Sequence, residues 1–79
     1  MGYIRAKIEL DKTNDVVNFV QQISKLEDSF IVEDFSGAFS VNAKSYLGML
    51  YASADFMDMF IVNTTNDGVF PGFIDEYRI

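Results

Sequence analysis

The residue best placed for chemistry is Ser45. It lies within Ser40-Val41-Asn42-Ala43-Lys44-Ser45-Tyr46-Leu47-Gly48-Met49-Leu50-Tyr51, where an alternating strand gives way to a short apolar run suited to a helix. A serine oxygen at such a junction accepts a hydrogen bond from the otherwise unpaired N–H groups of the first helical turn, so Ser45 reads as an N-cap. The same point favours an anion, because the positive end of the helix dipole and the free N–H groups both attract negative charge. A phosphate carried on that hydroxyl would be well accommodated. A plain structural cap accounts for the same residues.

The remaining polar side chains offer less. Asp55 with Asp58, and Asp75 with Glu76, are the right residue types for acid–base work or for hard cations, but neither pair sits in a recognisable loop such as an EF-hand. Both read as solvated carboxylates flanking turns. Gly68 and Gly72 do not have the spacing of a phosphate-cradling loop and read as turn glycines. The chain has no Cys and no His, so disulfides, thiolate sites and imidazole ligands are all missing, which effectively excludes zinc. With no nucleophile–base pair in the sequence, the expectation is a protein that is not an enzyme and needs no cofactor or metal.

The elements that position Ser45 follow from periodicity. Ile4, Ala6, Ile8 and Leu10 alternate with Tyr3, Arg5, Lys7 and Glu9, as in a strand with one buried face. Asp11-Lys12-Thr13-Asn14 breaks that pattern. Val16, Phe19, Val20, Ile23 and Leu26 then recur at helical spacing, which predicts a helix over residues 14–26. Residues 29–33 and 38–41 are β-rich runs around the turn-forming Asp34-Phe35-Ser36-Gly37, and read as a hairpin. After the Ser45 helix, Ala52-Ser53-Ala54-Asp55 reads as its exit and residues 57–64 as a fourth strand. In that strand Phe60 and Val62 face one way and Met59 and Ile61 the other, so it is expected to be central or otherwise buried on two sides, or to use an exposed apolar face for association. Gly68, Pro71 and Gly72 restrict any last helix to a turn or two from Phe73. Phe70, Phe73, Ile74 and Tyr77 must then cover the core irregularly or pack on another subunit. The order predicts one α+β domain over residues 1–79, with a four-stranded, mostly antiparallel sheet and helices on one face.

Composition narrows the partners. Twelve acidic residues against six basic give a formal charge of −6, which argues against nucleic acid and anionic membranes and leaves a basic protein surface easier to accommodate. Charge that merely keeps an apolar-rich domain in solution explains the same numbers. No stretch approaches the roughly 18 apolar residues of a membrane span, and the N-terminus enters a strand pattern without the features of a secretory signal. A soluble, cytoplasmic protein is the expectation.

The segment Val41-Asn42-Ala43-Lys44-Ser45-Tyr46-Leu47-Gly48-Met49-Leu50 resembles the regulatory-serine segment of HPr, the histidine-containing phosphocarrier family of the bacterial sugar phosphotransferase system. The likeness extends in element order from about Tyr3 to Thr65. It implies an HPr-like open-faced sandwich of order βαββαβ with a degenerate C-terminal helix. It also implies a serine, Ser45, that a regulatory kinase phosphorylates, beside partner-binding residues Tyr46, Leu47, Met49 and Leu50. The family's active loop resembles G-[IL]-H-A-R-P-A; aligned without gaps, Lys12 stands at the histidine position, Asn14 at the arginine position and Asp15 at the proline position, with Thr13 between. A protonated amine is not nucleophilic and Asp15 repels an anion, so Lys12, Thr13 and Asn14 form a degenerate loop without phosphocarrier activity. In this the chain is similar to the catabolite-repression variants of HPr, which implies a protein partner such as a transcription regulator or an HPr kinase, and in some cases a homodimer. The competing reading is a structural or oligomerisation module that reuses the scaffold with no phosphorylation.

Overall fold

The two periodicities resolve into six regular elements and a closing turn of helix: β1 (Ala6–Ile8), α1 (Thr13–Ile23), β2 (Phe30–Glu33), β3 (Ser40–Asn42), α2 (Tyr46–Asp55), β4 (Met59–Asn63) and a 3-10 helix (Gly72–Glu76). The computed structural model describes residues 2–11 and 13–79. The strands form one sheet in the order β1-β4-β2-β3, and every neighbouring pair is antiparallel. β1 therefore runs parallel to β2 with β4 between them, and β3 runs parallel to β4 with β2 between them. Each helix serves as the crossover of one split pair. The fold is α+β with an open antiparallel sheet.

One face of the sheet carries the core. Ala6 and Ile8 of β1, Phe30 and Val32 of β2, and Met59 and Ile61 of β4 join Val16, Phe19, Val20 and Ile23 of α1 and Met49 and Ala52 of α2 in a single buried cluster. Both helices thus lie on that face. β4 is an inner strand, and its residues on the opposite face, Phe60 and Val62, are half-buried and buried. The two-sided pattern read along β4 is that of a strand with neighbours on both edges.

Several boundaries differ from the periodicity, β4 for one spanning Met59–Asn63 within the expected 57–64. α1 ends at Ile23 rather than Leu26, because Lys25 and Leu26 donate to the carbonyls of Gln22 and Ile23, three residues back, which tightens and ends the helix. β3 begins at Ser40 and not at Ala38, since the Asp34 carboxylate accepts from the N–H groups of Gly37 and Phe39 and from the Ser36 hydroxyl, and so extends the turn. α2 continues through Ala52–Asp55, where an exit was expected; Ala52 is fully buried and alanine is the best helix former. β1 is only three residues long, and Ile4, on the expected buried face, is exposed because it lies beyond the covered part of the sheet.

The segment after β4 covers the core without a long helix. Ile74 and Tyr77 are buried, and Phe19 meets Phe73 and Tyr77 edge-to-face at centroid distances of 5.9 and 5.6 Å. Beyond Tyr77 the backbone returns to β1: Glu9 N–H donates to Tyr77 O, and Ile79 N–H donates to Lys7 O. The β1 edge is thereby closed. Phe19→Ala should cost about 3–5 kcal/mol, since it empties the contact that holds this segment on the core. Urea denaturation followed by circular dichroism measures it, and a loss under about 1 kcal/mol would mean that the aromatic triplet is not what fastens the segment.

Candidate functional site

The junction between β3 and α2 is assembled from the residues quoted for the resemblance, and each has a definite task. Asn42 Oδ1 accepts from Lys44 N–H at 2.9 Å, and Asn42 O accepts from Ser45 N–H at 2.9 Å, which turns the chain out of the strand. Lys44 Nζ donates to the carbonyl of Leu26, which ties the junction to the turn that follows α1. Ser45 has extended backbone, φ −93° and ψ 117°, and its hydroxyl oxygen accepts from Gly48 N–H at 3.1 Å. It is the N-cap that the sequence indicates. A Cβ at Gly48 would stand 3.2 Å from Val41 Cβ and 3.3 Å from the Ser45 hydroxyl, so only glycine lets the first turn of α2 approach β3 this closely. Ser45 itself is half-buried, and no acidic residue occupies the first turn of α2.

The apolar residues that follow divide in two. Leu47 is 77% exposed and Tyr46 is also exposed, whereas Met49 is sealed at 0% and Leu50 is half-buried against the core. Met49 was grouped with the partner-binding residues; its position puts it in the core instead, where it anchors α2 on the sheet. Tyr51 is exposed one turn beyond Leu47 and meets Phe56 edge-to-face at 5.9 Å.

The segment that the resemblance reads as a degenerate loop lies elsewhere. β1 and β3 run in opposite directions, so the junctions that follow them emerge at opposite ends of the sheet. Leu10 and Asp11 line a concavity with Ser53, Phe56 and Met57, near the far end of α2 from Ser45. Thr13 and Asn14 are exposed in the first turn of α1, and Lys12 falls outside the described residues. Asp15 Oδ2 accepts from Asp11 N–H at 3.1 Å, so a carboxylate already stands at the start of α1. Of the carboxylate pairs, Asp58 bonds Lys7 at 3.3 Å and Asp75 faces Arg78 at 3.8 Å, both in solvent. Among the described residues no group of three or more His, Cys, Asp or Glu side chains is placed to hold a metal ion.

Two groupings escaped the sequence reading. On the open face of the sheet Glu33, 2% exposed, lies 2.6 and 2.7 Å from the Tyr3 hydroxyl and 2.6 Å from Arg5 Nη1. Arg5 also stacks over the Phe60 ring, 4.0 Å from its centroid, and donates to Phe35 O. The pairings span about thirty residues, so no local pattern reveals them. The second is an aromatic concavity of about 420 Å³ lined by Phe35, Phe39, Tyr51, Phe56 and Met57, with Asp34 and Asp55 at its rim. Phe39 sits two residues before Val41 and so shares its face, which is the one signal that the sequence carries for it. The Asp34 carboxyl is partly desolvated, which raises its pKa, but hydrogen bonds from Ser36, Phe39, Gly37 and Ala38 outweigh this and hold it below the ordinary value.

Comparison with models of protein families, with characterised proteins and with solved structures finds no match. No helix among the described residues is long and apolar enough to cross a membrane.

The Tyr3 phenol gives the open face a pH signature. Its hydrogen bond to Glu33, followed by desolvation and the Glu33 charge, raises its pKa above the ordinary 10.0, against a smaller opposing pull from Arg5. A group whose pKa is higher folded than unfolded contributes stability below the unfolded value and loses it as the pH climbs through the folded one. The domain should therefore weaken at alkaline pH from about 10 upward, and Tyr3→Phe should flatten that limb while weakening the domain at neutral pH. Thermal melts across the alkaline range, with phenolate absorbance, check this; an unchanged alkaline slope in Tyr3→Phe would refute the assignment.

Proposed function

We propose that this chain is a protein-binding domain of HPr-like organisation, without phosphocarrier activity, that acts through the Ser45 end of α2. The observation that carries the reading is the pairing at that end of a half-buried, modifiable cap with an aliphatic side chain, Leu47, standing 77% in solvent. Met49 and Ala52 fix the helix from beneath, so Tyr46 and Leu47 are presented on a rigid support. The HPr-like part of the reading is supported by the βαββαβ order, the antiparallel sheet with its short closing helix, and the segment Val41–Leu50. The absence of histidine and the Asp15 carboxylate at the start of α1 support the loss of phosphoryl transfer.

Phosphate on Ser45 would place up to two negative charges beside Tyr46 and Leu47. The regulatory sense of such a step is that a partner reads the apolar pair and the charge together, as the catabolite-repression variants of HPr imply for a transcription regulator. The rival reading, an oligomerisation module, drew on the apolar fourth strand and the irregular tail. Both are accounted for inside this chain, by β4 as an inner strand and by Ile74 and Tyr77 in the core.

Incubation with an HPr kinase and ATP should add one phosphate to the chain by intact mass, and none to Ser45→Ala. Ser45→Ala should cost about 1 kcal/mol of stability, Ser45→Asp almost nothing, because the carboxylate replaces the cap. An unmodified chain, in a reaction that modifies an authentic HPr, would overturn the regulatory reading.

A further inference from the structure

The sheet has two edges, and only one is closed. At β1 the segment Tyr77–Ile79 supplies backbone partners to Lys7 and Glu9. At β3 nothing among the described residues pairs with the outer side. The hydrogen bonds to β2 identify which groups are free. Ala43 N–H donates to Phe30 O and Asp34 N–H donates to Phe39 O, so in an antiparallel ladder Val41 opposite Val32 is the bonded residue between them. Ser40 and Asn42 therefore point their backbone groups outward. Asn42 O is taken by Ser45 N–H, which leaves Ser40 N–H, Ser40 O and Asn42 N–H in one row.

The surroundings of this row specify what would pair with it. The helix-side flank carries Phe39 and Tyr51 in the aromatic concavity, with Met57 98% exposed beside them and Leu47 one turn along α2. The charged residues that line the concavity are acidic, Asp34 and Asp55; α2 and the β2–β3 turn have no basic residue, and Arg5, which donates to Phe35 O, is paired with Glu33. Lys44, the cation nearest in sequence, is engaged with Leu26 O. A second copy would bring the same acids against them with a further formal charge of −6, so the field opposes self-association.

We propose that the β3 edge accepts an added strand from a partner protein, an extended segment whose helix-side positions, every second residue, carry apolar side chains together with Lys or Arg. Ser40 and Asn42 supply the backbone ladder. Phe39 and Tyr51 receive the apolar side chains that the segment turns to the helix side, and Asp34 and Asp55, which line the same concavity, face the basic ones on that side. This surface does not depend on Ser45 or on its modification, and it can be present or absent whatever the Ser45 end of α2 does.

The test uses the full chain and a short synthetic peptide in which every second residue is Phe, Val or Lys, with Thr between, so that apolar and basic side chains share one face. The peptide should bind, shift the amide resonances of Ser40 and Asn42, and bind more weakly as salt is raised. Ser40→Pro removes an outward N–H that the fold does not use, and proline is tolerated on edge strands, so the variant should melt like the parent yet bind at least about tenfold more weakly. The same peptide N-methylated on its bonding edge, which needs no protein variant, should also lose at least about tenfold. A peptide with Glu in place of Lys should not bind. No binding by the Lys peptide, equal binding by the N-methylated or Glu peptide, or an undiminished Ser40→Pro complex would each overturn the proposal. So would a dimer in sedimentation that Ser40→Pro dissociates, since the occupant would then be a second copy.

Discussion

A carboxylate enclosed on the open face of the sheet dictates how much of that face remains open. Glu33 ends β2 almost without solvent, and an unpaired charge there would cost several kcal/mol. Its partners come from the far side of β4: the Tyr3 hydroxyl and the Arg5 guanidinium, both from the segment leading into β1. The bonds draw that segment across the sheet, and Arg5 then lies over Phe60, beside which Phe35 packs at a centroid distance of 6.4 Å. A small, partly solvated cluster results on a face that has no helix. Even the turn after β2 conforms to it, since Gly37 has φ 77° and a Cβ there would stand 3.3 Å from a Glu33 oxygen.

A second buried polar group does the equivalent work at the other end. Asn63, at the end of β4, donates to Asp28 Oδ2 and Val69 O and accepts from the N–H groups of Thr65 and Asn66, so every hydrogen-bonding site of its amide is used. It thereby starts the turn that sends the chain through Phe70, Phe73 and Ile74 onto the core and back to β1. The Asn63 and Asn66 amides also keep the Asp28 carboxyl below its ordinary pKa, which ties the connection between α1 and β2 to the same turn. Glu33 and Asn63 together account for the asymmetry of the sheet: both settle the β1 side, and neither reaches the outer edge of β3.

The elements were readable where a local rule is enough. Val16, Phe19, Val20 and Ile23 declare α1 by spacing, Ala6 and Ile8 declare β1 by alternation, and the two-faced pattern of β4 follows from its place inside the sheet. The Ser45 cap was legible because capping is a bond over three residues. Met49 was misplaced for a related reason: a short helix buries some of its apolar residues and exposes others, and its weak amphipathicity does not say which. What stayed hidden depends on contacts remote in sequence. Glu33 reads as an ordinary strand-end acid until Tyr3 and Arg5 arrive, and Asn63 reads as a turn residue until Asp28 and Val69 do. Nothing in Arg78 or Ile79 announces an added pairing with β1, and the openness of β3 becomes visible only once the opposite edge is seen to be closed.

At the Ser45 junction the structural role and the proposed regulatory one do not compete. Asn42, Lys44 and Gly48 hold the chain in the turn through backbone bonds, a contact with the Leu26 carbonyl and a close approach to Val41. Among the described residues the Ser45 hydroxyl oxygen takes part in one bond, from Gly48 N–H. A phosphate would substitute its own oxygens as acceptors for that N–H and for its unpaired neighbours, in the position where the helix dipole favours negative charge. The turn, carried by the other residues, has no reason to unwind. A charge added here would therefore alter the surface beside Tyr46 and Leu47 while leaving the fold in place, which is the condition a modification must meet if a partner, and not an unfolding step, is to register it.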